Sequence, residues 1–295
     1  MTRALWPRIM LTGKNGQVGW ELQRTLAPLG EVVALDRRQL DLSDSKQIRE
    51  LVREIKPNLI VNAAAYTAVD KAESEPETAM AINGVAPGIL AEEAKRIGSA
   101  IIHYSTDYVF DGNKTSLYTE DDTPNPLNEY GRTKLAGEQA VKAAGSPYII
   151  LRTGWVYGTH GKNFLLTILR LAHEREELSI VDDQTGAPSW SRMLAEATAQ
   201  ILSDDYNALA AKRGIYHMTA SGSTTWYGFS KAILALDPNS NEQVCKYVRP
   251  ISSAEYPIPA RRPAYSVLSN AKLQSAFGLV LLGWEQGLNL ALATS

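Results

Sequence analysis

A tyrosine and a lysine stand four residues apart, Tyr130 and Lys134, in the stretch NEYGRTKLAGEQAVKAAG. The Lys, Leu, Ala, Glu and Gln of that stretch, following a Pro-rich approach, predict a helix. On a helix this spacing puts both side chains on one face, one turn apart. Thr106 lies 24 residues before Tyr130, in HYSTDYVFDG, where an apolar run predicts the end of a buried strand. A hydroxyl, a phenol and an ammonium can then meet at one mouth. A phenol ordinarily loses its proton near pH ~10, and a nearby ammonium lowers that value by favouring the anion. Tyr130 could thus trade a proton near neutral pH, as an acid toward a ketone oxygen or a base toward an alcohol. Thr106 could hold the same oxygen by a hydrogen bond. Tyr-x-x-x-Lys is also an ordinary exposed helical pair, and a redox cofactor site elsewhere in the chain is what separates the two readings.

The elements ahead of this stretch supply such a site. An apolar run from Arg8 to Thr12 is followed by GKNGQVG, with Gly13, Gly16 and Gly19, and by a helical segment ending at Gly30. In a strand–loop–helix context the first glycine permits the tight turn, the second lets backbone approach a pyrophosphate, and the third lets helix pack on strand. The phosphates would sit at the helix N-terminus. The spacing is G-x-x-G-x-x-G, a variant associated with short-chain dehydrogenases. A second strand, EVVAL, ends at Asp36-Arg37-Arg38. An acidic residue there can bind the adenosine ribose hydroxyls, while an arginine can pair with a 2′-phosphate, so NADPH and NADH both stay open. The arginines are equally read as solvated surface charges.

NLIVNAAA predicts a third strand, buried on both faces, and Asn62 to Ala65 at its end are small enough for a cofactor ribose to pass or for a helix to pack closely. The segment from Thr67 to Gly98 reads as largely helical, with Asn83 set to bond the backbone of the neighbouring strand. SAIIHYST is a fourth strand and delivers Thr106. Strands and helices alternating with short links predict an α/β fold, a doubly wound parallel sheet of Rossmann-like type whose ligands lie beyond the strands' carboxyl ends. A smaller C-terminal substrate domain is expected to complete it. The boundaries drawn are residues 1–155 for the dinucleotide-binding domain, with 190–220 returning to it, and 156–189 and 221–295 for the substrate domain.

Further along, Trp155 in RTGWVYG is read either as a stacking platform for a sugar or nicotinamide ring or as a core residue. From Pro238 the chain reads as irregular, with PARRP in its middle and a closing amphipathic helix. Arg261 and Arg262 between prolines could present a guanidinium to a diphosphate, or form an exposed basic loop. With a net charge of −2 over 295 residues there is no electrostatic case for nucleic acid or an anionic membrane. The single cysteine, Cys245, excludes an internal disulfide and suits a reducing compartment, and its expected role is inert packing. The histidines, at 103, 160, 173 and 217, lack metal-ligand spacing. The N-terminal stretch is too short in apolar residues for a signal peptide or a span, so a cytoplasmic protein is expected.

Taken in order, GKNGQVGWEL, NAAAYTAVDKAE, HYSTDYVFDG, YGRTKLAGE, RTGWVYG, DDQTGAP and PARRP resemble the dTDP-4-dehydrorhamnose reductases, extended short-chain dehydrogenases, over almost the full length. The resemblance implies hydride transfer from a nicotinamide to the C4 ketone of a dTDP-4-dehydro sugar. It implies Thr106, Tyr130 and Lys134 as the catalytic trio, with Tyr130 protonating the oxygen and Lys134 holding the nicotinamide ribose. It places Gly13, Asn15, Gly16, Gln17 and Val18 along the pyrophosphate. Asp36, Arg37, Asp41, Leu42, Ala63, Ala64 and Ala65 fall on the adenosine side and bridge. Thr106, Asp107, Trp155 and Arg261 fall on the substrate. Some members of the family hold magnesium through glutamates at a dimer interface. Glu21 matches one such position, but Arg192 stands where a second glutamate is expected and the chain ends early at Ser295, which argues against that metal and that dimer here while leaving a homodimer open. The 4,6-dehydratases of this fold need Asp-Glu after the threonine, and Asp107-Tyr108 lacks the Glu. A nucleotide-sugar 4-epimerase, sharing the trio, and a non-catalytic dinucleotide-binding regulator are the remaining rivals.

Overall fold

The computed structural model describes residues 6–203 and 206–293. Its centre is a six-stranded parallel sheet made of β1 (Arg8–Thr12), β2 (Glu31–Leu35), β3 (Leu59–Asn62), β4 (Ala100–Thr106), β5 (Tyr148–Thr153) and β6 (Gly214–His217). The spatial order is β2-β1-β3-β4-β5-β6. The winding direction therefore reverses between β1 and β3, and a crevice opens there beyond the strands' carboxyl ends. The doubly wound parallel sheet expected from the sequence is present.

Each central strand is apolar on both faces because each face is covered. Ile9 and Leu11 point into one core while Met10 points into the other, and Ile101 and Ile150 oppose Ile102 and Ile149 in the same alternation. The first core is closed by Leu22 and Leu26 of helix α1 (Gln17–Thr25) and its C-cap, and by Leu194 and Ile201 of α6 (Ser191–Ile201). The second is closed by Ile48 and Val52 of α2 (Ser45–Ile55), Leu90 and Ala94 of α3 (Ala86–Arg96) and Val141 of α4 (Glu129–Ala144). Asp44 caps α2 by accepting from the N–H groups of Lys46 and Gln47 at 2.9 and 3.0 Å. Asn128 caps α4 by accepting from Gly131 N–H at 2.8 Å, and its amide donates to the Arg261 carbonyl at 2.7 Å. The cap thus ties the start of the Tyr130 helix to the PARRP loop.

Beyond β5 lie α5 (Phe164–Glu174) and α7 (Trp226–Leu236), with a two-stranded parallel ladder of Glu177–Val181 and Tyr247–Ile251. The expectation of an irregular tail is corrected here. Tyr247–Ile251 is a strand and Ala271–Phe277 a helix, before α8 (Trp284–Ala293). That strand pairs with a partner 70 residues away, such as Arg249 with Ser179, so nothing local announces it. The helical stretch after β3 also differs in detail: it is broken into Val69–Ala72, Pro76–Met80 and a π-helical turn, Ala81–Val85, that leads into α3. Asn83, on the π turn, does not bond a strand. Its amide brackets Tyr66 in the loop after β3, accepting from the N–H at 2.8 Å and donating to the carbonyl at 3.1 Å.

Candidate active site

The crevice at the winding reversal is a cleft of about 530 Å³. Gly13, Asn15, Gly16, Gln17, Val18, Asp36, Arg37, Asp41, Leu42, Ala63, Ala64, Ala65, Tyr130 and Lys134 all line it. Its floor is built from backbone. Gly13 sits at φ +78°, and a Cβ there would lie 2.8 Å from the Ala64 backbone. A Cβ on Gly19 would lie 2.0 Å from the Gly13 carbonyl oxygen, so only glycine lets α1 start so close to the loop. The N-cap of α1, Gly16, brings no side chain to the first-turn N–H groups, which leaves that end of the helix open to an anion. Close approach, an uncapped N-terminus and an adjacent acid–arginine pair fit a dinucleotide.

At the adenosine end both recognition devices are present in space. Burial works to raise the Asp36 carboxyl, but the backbone N–H groups of Arg38 and Gln39 and the Lys14 ammonium outweigh it and hold the group below the usual carboxylate range. The Arg37 guanidinium is exposed beside the cleft and makes no hydrogen bond among the described residues.

At the other end Tyr130 and Lys134 line the cleft, and Thr106 lies beside the Tyr130 hydroxyl. Thr106 closes β4, and its hydroxyl donates to the Asp107 carboxylate at 3.0 Å while accepting from Tyr108 N–H at 3.1 Å. Tyr130 and Lys134 point into the cleft from α4. The expected lowering of the phenol's pKa is not found. Burial pushes Tyr130 up to about 12; the Thr106 hydroxyl pulls it back and the Asp107 charge adds to the rise. Lys134 is not among the groups acting on the phenol, and its Nζ donates to the Tyr104 carbonyl at 2.6 Å. The lysine is only 2% exposed, and burial lowers it to about 8 against the opposing charge of Glu138. Burial likewise lifts Asp107 to about 6, against hydrogen bonds from Ser266 and Thr106. The carboxylate fits only because residue 154 is glycine: a Cβ there would sit 2.6 Å from Asp107 Cγ.

The Tyr130 ring meets Tyr108 edge-on, with centroids 5.8 Å apart. Tyr108 in turn lines a second cleft, of about 1080 Å³. Arg261 and Arg262 both face this second cleft. Arg262 is held by Asp70 in a two-pronged pair at 2.9 and 2.9 Å, whereas the exposed Arg261 side chain makes no hydrogen bond among the described residues. Thr106 and Asp107, both buried, line neither cleft, and nor does Trp155. It is in the left-handed region at φ +50° and stacks flat on Trp226, with centroids 3.5 Å apart, against Gly186, where a Cβ would lie 2.3 Å from the indole. Trp226, absent from the sequence reading, is the member of that pair that reaches the second cleft. Gly161 and Lys162 were also unforeseen; they come from a loop that bends back over the glycine turn and line the first cleft.

Residues 7–295 match the family profile described as the RmlD substrate binding domain. A dTDP-4-dehydrorhamnose reductase of Burkholderia thailandensis is 49% identical over 289 residues, covering 96% of this chain and 97% of that protein. One of Escherichia coli K12 is 46% identical, with 95% of each chain covered. The chain belongs to the dTDP-4-dehydrorhamnose reductase family. It is an NAD(P)H-dependent oxidoreductase by that membership. A Bacillus anthracis reductase of the family, solved in complex with NADP, superposes with a TM-score of 0.90 at 36% identity, covering 98% of this chain and 99% of that one. A Thermus thermophilus UDP-glucose 4-epimerase in complex with NAD shares the fold alone, with a TM-score of 0.80 at 21% identity over 97% of this chain and 98% of its own.

Two further positions set this member of the reductase family in context. Glu21 is buried and its carboxylate is bound by Arg24 at 3.1 Å and Arg192 at 3.4 Å. Among the described residues no group of three or more His, Cys, Asp or Glu is placed to hold a metal. No helix among them is long and apolar enough to cross a membrane.

Proposed function

We propose that the chain reduces the C4 ketone of dTDP-4-dehydro-L-rhamnose, with NADPH in the glycine-loop cleft and the nucleotide sugar in the second cleft. The observation that carries this reading is the junction. Tyr130 lines the first cleft, its ring touches Tyr108 of the second, and Thr106 lies beside its hydroxyl. NADPH, when bound, supplies the hydride. The protein's share is position and protons. The open N-terminus of α1 and the turn at Gly13 hold the pyrophosphate, Arg37 the 2′-phosphate, and Lys134 the nicotinamide ribose. Asn15, Gln17 and Val18 shape the phosphate turn, and Asp41, Leu42 and Ala63 to Ala65 flank the adenosine and the bridge. NADH shares every one of these contacts except Arg37's.

A phenol raised to about 12 stays protonated at neutral pH, which suits a proton donor toward an oxygen that becomes an alkoxide. Tyr130 gives its proton to that oxygen and is left as phenolate beside the Thr106 hydroxyl. Thr106 and Asp107 hold the sugar hydroxyls. Residues 156–189 and 221–295 form the substrate-holding part, and Arg261 supplies the diphosphate partner. The test is the loss of NADPH absorbance on adding dTDP-4-dehydro-L-rhamnose. Turnover only with a UDP- or GDP-linked keto sugar would correct the substrate, and no turnover with any keto sugar would sink the proposal.

A further inference from the structure

Behind Lys134 lies a row of buried polar groups that the reaction above does not use. His103, on β4, is wholly buried, and both its ring nitrogens face polar partners. Asn62 Nδ2 stands 3.1 Å from Nδ1, and Lys134 Nζ stands 3.5 Å from Nε2. Asn62, also wholly buried, has its Oδ1 2.7 Å from the hydroxyl of Thr12, which lines the cofactor cleft. Hydrogen-bond logic links these groups. If the Asn62 amide donates to Nδ1, the neutral imidazole carries its proton on Nε2 and offers it to Lys134. Only an uncharged amine can accept there. An ammonium has no lone pair and requires Nε2 to be the acceptor, which moves the ring proton to Nδ1 and turns the Asn62 amide over. Asn62 then donates to Thr12, and the Thr12 hydroxyl hydrogen is free to point into the cleft. Burial in both directions makes any mismatched state costly.

We infer that His103 is a positioning residue for Lys134, whose ring tautomer follows the charge of the lysine and, through Asn62, sets whether Thr12 donates to the cofactor. The groups that face this pair are few. On α4 Lys134 feels the charge of Glu138, whose carboxylate is already bound by Arg152 of β5 at 2.8 and 2.7 Å and by Ser105 at 2.6 Å, and Tyr130 lines the same cleft. From β4 it meets His103 and the Tyr104 carbonyl. The His103 imidazole is held far below its usual range, by burial first and the Lys134 charge second, so it stays neutral and the change available to it is tautomeric.

The inference rests on reading Lys134 as the cofactor-facing lysine, and the test separates the two. Long-range proton–nitrogen spectra of protein labelled with 15N-histidine, the His103 signal being identified by its loss in His103→Gln, read the tautomer directly. The expected result is a neutral ring protonated on Nδ1 at about pH 6.5 and on Nε2 at about pH 10, with Lys134→Met removing the pH dependence. A tautomer fixed across that range in the unsubstituted protein overturns the inference. NADPH titration is the second arm. His103→Leu should weaken binding about tenfold at neutral pH and leave it little changed where Lys134 is uncharged, while His103→Gln, whose amide can accept from the ammonium, stays within about threefold. Equal weakening at every pH would mark His103 as merely structural. Failure of the unsubstituted protein to bind NADPH would instead sink the cofactor reading, with the tautomer result still deciding this one.

Discussion

The two clefts are built from different materials. The floor of the glycine-loop cleft is backbone and short side chains, Gly13, Gly16 and Ala63 to Ala65 at the open end of α1, and its charged side chains, Asp36, Arg37, Asp41, Lys134 and Lys162, stand around that floor. The second cleft is walled by long side chains carried on remote segments, among them Arg175, Arg249, Arg261, Tyr256 and Trp226. A backbone site is fixed as soon as the sheet forms, and it binds what every dinucleotide has in common. A side-chain site can be respecified residue by residue without touching the sheet. On the function proposed above, cofactor binding would fall to fold geometry and sugar-nucleotide choice to the outer segments, with Tyr130, which meets Tyr108, at the seam.

The seam gives the sharpest test. Tyr130→Phe removes one hydroxyl from the junction and keeps the ring that lines the first cleft. It should lower kcat by about a thousandfold, within the usual range for a positioned acid, and leave NADPH affinity and sugar-nucleotide KM nearly unchanged. Stopped-flow and equilibrium titration measure the two quantities separately. A variant that lost affinity in either cleft instead would show that the hydroxyl belongs to a wall.

Asp107 comes next and works through stability. Its carboxyl is raised to about 6 by burial, so the folded protein holds that proton more tightly than the unfolded chain does. Stability from this group is therefore full at low pH and declines as pH rises from about 4 through about 6. Asp107→Asn should stabilise the protein by about 2 kcal/mol at neutral pH and have no such effect near pH 4, while activity falls. Thermal melts at both pH values check it. Equal melting shifts at both would mean the carboxylate carries no burial strain.

How much of this was legible in sequence follows the same division. Every residue expected on the dinucleotide lines the first cleft, because a strand, a glycine turn and a helix are consecutive and their geometry is local. The placement of Tyr130, Lys134 and Thr106 on their elements is legible for the same reason: one turn of helix separates the first two, and Thr106 ends a strand. Outside that frame the reading thins. Arg261 reaches the second cleft, but Trp155 is a wedge against Trp226, and no spacing rule connects residues 71 positions apart. Lys162 crosses to the glycine loop by a fold-level turn. The rise of the Tyr130 pKa is not legible in sequence because it comes from burial, and burial, like that of Lys134 beside Tyr104, is a property of packing.

A smaller effect is expected in the second cleft. Arg262 is committed to Asp70, so Arg261 is the arginine of that loop left to a ligand. Arg261→Ala should raise the KM for the sugar nucleotide about tenfold, as loss of a charge-assisted hydrogen bond at an exposed site would, and leave NADPH affinity alone. Arg262→Ala should cost stability through Asp70 and the Ala260 contact. Reversal of these two outcomes would exchange their assignments.

The finest distinction lies within the glycine-loop cleft, at its adenosine end. Asp36 is occupied by Lys14 and by the N–H groups of Arg38 and Gln39. A carboxylate so engaged is poorly placed to reject a 2′-phosphate, because neighbouring positive charge already offsets its field. Arg37 stands exposed beside it with no hydrogen bond among the described residues, and a guanidinium can take a phosphate two-pronged. Arg37→Ala should therefore cut the NADPH-over-NADH preference about fivefold, by weakening NADPH alone, and the effect should shrink with added salt. Initial rates with both cofactors at two ionic strengths measure it. If NADH binding falls in step with NADPH, Arg37 supports the adenosine pocket as a whole, and the choice between cofactors belongs to Lys14 and Asp36.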